Sequence, residues 1–420
     1  MSNRKLSLGR YDFSAYSAFT MYSVCSLAIP LMIVAIGKDL DFPLDDGGMS
    51  SGGVLHAIRS AAMIITLIFC GWISSFCGKR ITMGLSVIFI GMGMICCAAA
   101  PVYWVLLPGL LIAGLGEGVS EGILTPFVQD LHPEAPERYV NISHSFWSVG
   151  IVAAVLGVGG LLALGVNWRF VLGCAGLLTI LASIGFLWKE NPRSPYPESS
   201  SPVNLRKIWQ ETSAILKNFR FWRCSFAMFF GAGAEFGLTF WAAAYIELNF
   251  QTGSWIAGLG TGTIALGMFV GRTVFGYFAK LHYLRWILLG SALATIPITL
   301  VLAWLKPGMM APGMLFAGLF ILLFFAGIGI APYWPTTQVY GVSKLPQLDS
   351  TLLYVYFSVM GVPGCGFFAW LMGAVGDRWG LRGAIMVVPC CLAIFAMIVL
   401  TECWFFASGR QEERGKNGSF

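Results

Sequence analysis

Glu117 and Glu121 stand four residues apart in a long apolar stretch, which puts both carboxylates on one face of a helix. An ionisable group in such a stretch is costly unless paired or hydrated, so each is a functional candidate. Two nearby carboxylates raise the pKa of one of them, which is what a proton carrier needs at physiological pH. The plainer alternative for Glu117 is a packing role, bonded to a neighbouring serine or backbone group. Arg59 lies ~9 Å below the outer end of the second apolar stretch and Glu117 ~20 Å into the fourth. Reaching inward, Arg59 is a candidate counter-charge for Glu117; snorkelling toward the outer headgroups is the alternative. Glu235 falls near the middle of the seventh stretch, placed either to bind solute hydroxyls or to bond the backbone of the eleventh. Arg272, near the inner end of the eighth, is expected to pair with cytoplasmic-side groups as a gate or a structural clasp.

A small solute with polar edges and weakly apolar faces needs a site with aromatic platforms beside a few hydrogen-bonding groups. Trp147, Trp241, Tyr245, Tyr333 and Trp334 are candidate platforms, and Asn141, His144, Gln129 and Gln338 candidate polar partners. Most aromatic residues in so apolar a chain must simply face lipid or other helices.

The elements that position these residues follow from composition. Only 11% of the 420 residues are charged, against about 25% in a soluble domain. That charge cannot cover a water-facing surface, so the chain is expected to be an all-α membrane protein. At about 20 apolar residues per crossing, twelve spans are predicted near 13–37, 53–76, 81–100, 104–128, 143–165, 168–188, 221–247, 254–278, 286–305, 313–338, 350–375 and 382–407. The first is too long for a signal peptide and is expected to be retained. With the N-terminus inside, nineteen Lys and Arg fall in inner segments and five (Lys38, Arg169, Lys306, Arg378, Arg382) in outer loops. The positive-inside rule then places both termini in the cytoplasm. The Pro/Ser-rich segment 189–220 reads as a linker between six-helix halves at 1–188 and 221–407, with a tail at 408–420. Within it, Leu205, Ile208, Trp209 and Ile215 share one face of a candidate interfacial helix.

The halves echo each other. Gly122–Gln129 in span four parallels Ala331–Gln338 in span ten, so Pro126 pairs with Pro335 and Gln129 with Gln338. Asn167-Trp168-Arg169 before span six parallels Trp379-Gly380-Leu381-Arg382 before span twelve. Such a parallel repeat implies a solute site near mid-membrane between the halves.

Five segments carry a more specific likeness: Glu121-Gly122-Ile123-Leu124-Thr125-Pro126 in span four, the run Asn141 to Gly150 in span five, Glu235…Trp241…Tyr245 in span seven, Gly267…Gly271-Arg272…Gly276 in span eight, and Gly329 to Thr336 in span ten. In order and placement the chain resembles the fucose–galactose–glucose:proton symporter family of the major facilitator superfamily. The resemblance implies two six-helix halves in the major facilitator fold, alternating access, and proton coupling and sugar binding at Glu121. The family's span-one Asn-Asp is replaced by Cys25-Ser26, and its span-five Gln and Asn by His144 and Trp147. Its fucose specificity is therefore not expected to carry over. His144 could titrate near neutrality and partly substitute for the missing carboxylate.

The expected function is secondary transport of a small polar solute, most simply a monosaccharide or derivative, coupled to protons across the cell inner (plasma) membrane. The alternatives are a facilitator or exporter of a more apolar compound and a non-transporting solute sensor; the sensor is disfavoured by the thirteen residues after Ala407. The eleven cysteines form no C-x-x-C or Cys/His cluster and read as small packing residues. No nucleophile triad, metal site, cofactor motif or nucleic-acid patch emerges, nothing marks an obligatory protein partner, and no enzyme is expected. A reporter fused after Phe420 is predicted to report cytoplasm and one inserted between Asp41 and Gly48 the outside; both on one side would overturn the twelve-span topology.

Overall fold

In the hydrocarbon of a bilayer a peptide group has no water to bond, so a chain this apolar must satisfy its backbone within helices. The computed structural model of the chain describes residues 8–134, 136–189, 192, 195–197, 205–278 and 281–416, excepting the side chains of 136–138, 140, 141, 205, 207, 276–278, 351 and 403–416. Among the described residues there are helices and no strand.

The first six crossings are α1 (Arg10–Asp39), α2 (Met49–Cys77), α3 (Lys79–Ala98), α4 (Tyr103–Leu131), α5 (Pro136–Ala154) and α6 (Trp168–Leu187). Helix α5 runs on through a π-helical turn, Val155–Gly159, into Gly160–Ala163. A short helix α7 (Leu205–Leu216) precedes α8 (Phe219–Asn249), α9 (Ser254–Phe278) and α10 (Leu284–Trp304). The tenth crossing is broken into α11 (Pro312–Ile330) and α12 (Pro335–Ser343), because Pro332 and Pro335 have no N–H to continue the ladder. Helix α13 (Ser350–Lys416) supplies the last two. Its apolar part of 51 residues would reach ~76 Å if straight, more than twice the ~30 Å hydrocarbon thickness. The chain turns back at Gly380, whose φ of 74° suits glycine. Twelve crossings result among the described residues.

The chain folds into two compact units, Met1–Val203 with Ala242–Gly262, and Asn204–Trp241 with Thr263–Phe420. In the first, α4 is central. A Cβ at Gly114 or Gly118 would strike the carbonyl oxygen of Arg59 or Met63 on α2, while Gly116 on its other face meets Ser86 and Ile90 of α3. Without a hydrophobic force between helices in lipid, such close backbone approach supplies the packing. In the second unit Gly267 and Gly271 of α9 lie against Phe324, Gly327 and Ile328 of α11, so the span-two–span-four contact is repeated by spans eight and ten. Likewise Gly150 of α5 packs on Thr20 and Ser23 of α1, and Gly364 of α13 on Phe229 of α8.

Helix α7 departs from the one-faced pattern expected of it. Ile215 is fully buried and Thr212 hydrogen-bonds Tyr356, but Ile208 and Trp209 are exposed, and the Leu205 side chain lies outside the described residues. One end of the helix docks while its Trp209 side stays uncovered. Because Gly118 touches backbone rather than a flexible side chain, Gly118→Leu should separate α2 from α4 and cost roughly 1–3 kcal/mol. Thermal unfolding in detergent should show this, with Gly290→Leu, where nothing lies within 4 Å of an added Cβ, unchanged.

Candidate functional site

The approach of α2 to α4 brings Arg59 and Glu117 together. Arg59 Nε donates to Glu117 Oε2 at 2.6 Å, Nη2 donates to Oε1, and Nη1 donates to the Ser26 carbonyl of α1 at 3.2 Å. Both residues are 1% exposed. A planar guanidinium facing both carboxylate oxygens is the strongest geometry available to an ion pair, and here it ties three helices. Of the two courses open to Arg59, the structure shows the inward one.

Glu121 lies one turn further along α4 and is only half-buried. The Tyr22 hydroxyl of α1 donates to its Oε2 at 3.5 Å, a long contact, and the Tyr22 ring meets Trp147 of α5 edge-on at 4.8 Å. One turn on again, Thr125 and His144 share a hydrogen bond of 3.0 Å, and the imidazole lies 4.7 Å from the Phe19 ring. His144 and Trp147 therefore both face α1. His144 and Gln129 are exposed and Trp147 half-buried. The Asn141 side chain lies outside the described residues. The first unit thus brings together Glu121, Trp147 and His144, joined by Tyr22 and Thr125, which the sequence patterns did not single out. A tyrosine in an apolar helix gives no signal that separates a site residue from a packing one.

In the second unit Arg272 Nη2 donates to Glu235 Oε1 at 2.8 Å, so the arginine pairs with span seven rather than with groups at the cytoplasmic side. The peptide N–H of Trp334, in the break between α11 and α12, is turned toward the same carboxylate without a hydrogen bond of ordinary geometry. The Trp334 side chain is half-buried, and Gln338 donates to Ser358 Oγ at 2.9 Å. Three further candidates lie within helix packing. Trp241 is fully buried and donates its Nε1–H to the Ala369 carbonyl of α13 at 2.9 Å. Tyr333 is fully buried against Phe395, with its hydroxyl 3.4 Å from Thr295. Tyr245, buried beside Phe250, belongs to the stretch that clusters with the first unit.

Residues 14–347 match the family model of the Major Facilitator Superfamily. The chain belongs to the Major Facilitator Superfamily. It is similar to the uncharacterized MFS-type transporter YybF of Bacillus subtilis (strain 168), 24% identical over 335 residues, which cover 76% of this chain and 79% of the relative. It is 29% identical to plastidic glucose transporter 4 of Arabidopsis thaliana over 119 residues, 28% of this chain, and the match spans only 21% of that relative's length. Among solved structures, a D-xylose–proton symporter superposes with a TM-score of 0.72 at 13% identity, covering 93% of this chain and 96% of the other. The E. coli fucose:proton symporter gives 0.61 at 18% identity, covering 93% and 98%. At these identities the structural likeness shows the major facilitator fold, as expected from the motifs.

Removing one member of a buried ion pair costs about 3–5 kcal/mol, whereas replacing both with apolar groups of similar volume is near neutral. Arg59→Met alone should therefore unfold at a clearly lower temperature than the wild type, and Arg59→Met/Glu117→Met should recover most of the loss. Additive losses in the double variant would show that the pair does not act as a unit.

Proposed function

We propose that this facilitator-superfamily protein is a proton-coupled carrier of a monosaccharide or sugar derivative, working by alternating access in the cell inner membrane with both termini in the cytoplasm. The observation that carries this is the setting of Glu121: a half-buried intramembrane carboxylate with a tyrosine hydroxyl at 3.5 Å, and an edge-on Tyr22–Trp147 pair beside it. A carboxylate at a partly open position can gain and lose a proton as access changes, and the neighbouring rings suit the C–H faces of a sugar. Glu117 is the poorer carrier, since taking a proton would break its two hydrogen bonds to Arg59; we assign it to holding α4 in place. His144, bonded to Thr125 one turn away, is the second titratable group along the same face. Similarity to carriers whose names specify glucose, D-xylose and fucose supports a sugar as the solute class.

A second reading, a facilitator of a more apolar compound, draws on an open groove of about 360 Å³ in the first unit. It is lined by Phe13, Tyr16, Ser17, Thr20, Met21 and Phe146. One experiment separates the two. In proteoliposomes with an imposed pH gradient, the wild type should accumulate its sugar. Glu121→Gln, which keeps size and hydrogen-bonding capacity but not the proton, should exchange it without accumulation. Accumulation at the wild-type level in that variant would remove Glu121 from the coupling, and uptake indifferent to the gradient in the wild type would favour the facilitator.

A further inference from the structure

The Arg59–Glu117 and Arg272–Glu235 pairs differ in how completely they are closed. In the first unit Arg59 takes both oxygens of Glu117, and Ser26 takes a third N–H. In the second unit a single 2.8 Å bond joins the partners, and two buried atoms, Glu235 Oε2 and Arg272 Nε, have no hydrogen-bond partner. Glu235 as a residue is 8% exposed, while the Arg272 side chain is 32% exposed. Buried polar groups are nearly always satisfied, so an orphaned donor and an orphaned acceptor on one ion pair call for an explanation. The Arg59 pair shows that this chain can close such a pair fully where closure is all that is needed.

A guanidinium is a planar fork that matches the two oxygens of a carboxylate. Arg272 is about six residues, or ~9 Å, from the inner end of α9, and it offers the fork with its Nε unused. We infer that Arg272 binds the carboxylate of an acidic monosaccharide and that Glu235 takes up one proton as the solute displaces it. This rests on the sugar-carrier reading above and narrows its solute to a sugar acid. The charges balance. Before binding, the Glu235 carboxylate neutralises Arg272; afterwards the solute carboxylate does so, and the proton, drawn from the solution that delivers the solute, converts Glu235 to the neutral acid. At this pair one anion enters with one proton. Glu235 left ionised beside neither cation nor water would be too costly in so buried a position. The Trp334 ring, half-buried on the break whose N–H faces Glu235, is an aromatic candidate for the sugar's C–H face.

The probe is D-glucuronate against D-glucose, titrated calorimetrically into the purified full-length protein in buffers of different ionisation enthalpy, which counts protons. Wild type is expected to bind D-glucuronate at least about tenfold more tightly than D-glucose, the lower range of a charged hydrogen bond, with about one proton taken up per ligand. Arg272→Gln should lose this preference and Arg272→Lys keep part of it. Glu235→Gln should still bind D-glucuronate but without proton uptake. If Arg272→Gln does not fold, the Lys and Gln variants at the two positions carry the test. The inference is overturned by no preference for D-glucuronate in the wild type, by an unchanged preference in the Arg272 variants, or by undiminished proton uptake in Glu235→Gln. Accumulation of a neutral sugar that depends on Glu121, without D-glucuronate binding, removes this inference and leaves the carrier reading standing. Binding at Arg272 with accumulation indifferent to Glu121 removes that carboxylate from the coupling instead.

Discussion

Every charge that this chain carries into the hydrocarbon has to be answered from within the protein, because lipid offers neither water nor counter-ions. The Arg59–Glu117 pair meets that constraint in full, and much of the first unit is arranged so that it can. A bidentate pair needs α2 and α4 close enough for both guanidinium bonds to form. That distance is set by backbone contact at Gly114 and Gly118, on either side of Glu117. The third bond, to Ser26, adds α1 to the same knot. Helix packing and charge neutralisation are thus one problem here: larger residues at the glycines would leave the arginine short of its partner, and an unpaired arginine would cost more than the packing gains.

Once Glu117 is tied down, Glu121 inherits a defined place. It sits one turn further along a helix that cannot rotate without breaking the ion pair, so its carboxylate is held on the side of α1 and α5. There the aromatic contacts of Tyr22 with Trp147, Phe19 with His144 and Tyr16 with Phe146 join the two helices turn by turn. Gly150 lets α5 lie against Thr20 and Ser23 of α1 beside this seam. A rigid pair and a half-open carboxylate on the same face are complementary: the first fixes where the second can act.

The number and order of the crossings were legible because they depend on average apolarity and length, which bilayer thickness makes almost absolute. The break in the tenth crossing was not read from the sequence, where Pro335 served only as the counterpart of Pro126, whereas the final turn falls between the predicted spans 350–375 and 382–407. The facing of single residues was far less legible. In a soluble helix a polar side chain marks the exposed face, but in lipid both the core and the outer face are apolar, and the periodic signal fades. Hence Trp241, Tyr333 and Trp334 look alike in the sequence. The fold nevertheless buries the first two completely and leaves the third partly open. Arg59 and Glu117 could be matched by depth because a charge in an apolar helix stands out. Tyr22 and Thr125 could not, since a threonine can bond its own helix backbone at little cost and a tyrosine in such a helix is as easily a packing residue. The partner of Arg272 escaped for another reason: by rise along their helices Glu235 falls near the middle of its span and Arg272 near the inner end of the next, so depth did not match them.

The repeat makes the difference between the halves informative. Both use small residues at corresponding helix contacts, spans two with four and eight with ten, so the scaffold follows one plan. The charges do not follow it. Arg59 joins the second span to the fourth, whereas Arg272 joins the eighth to the seventh. If ion pairs served only to stabilise the scaffold, a repeated scaffold would be expected to repeat them, since the packing that permits one permits its counterpart. Instead Arg59 and Glu117 form a closed pair at 1% exposure beside a separate, half-open carboxylate, whereas Arg272 and Glu235 are joined by one bond. The symmetric features therefore belong to the fold, and the asymmetric ones, Glu121 in one unit and the Glu235–Arg272 pair in the other, are where the proposed chemistry is placed.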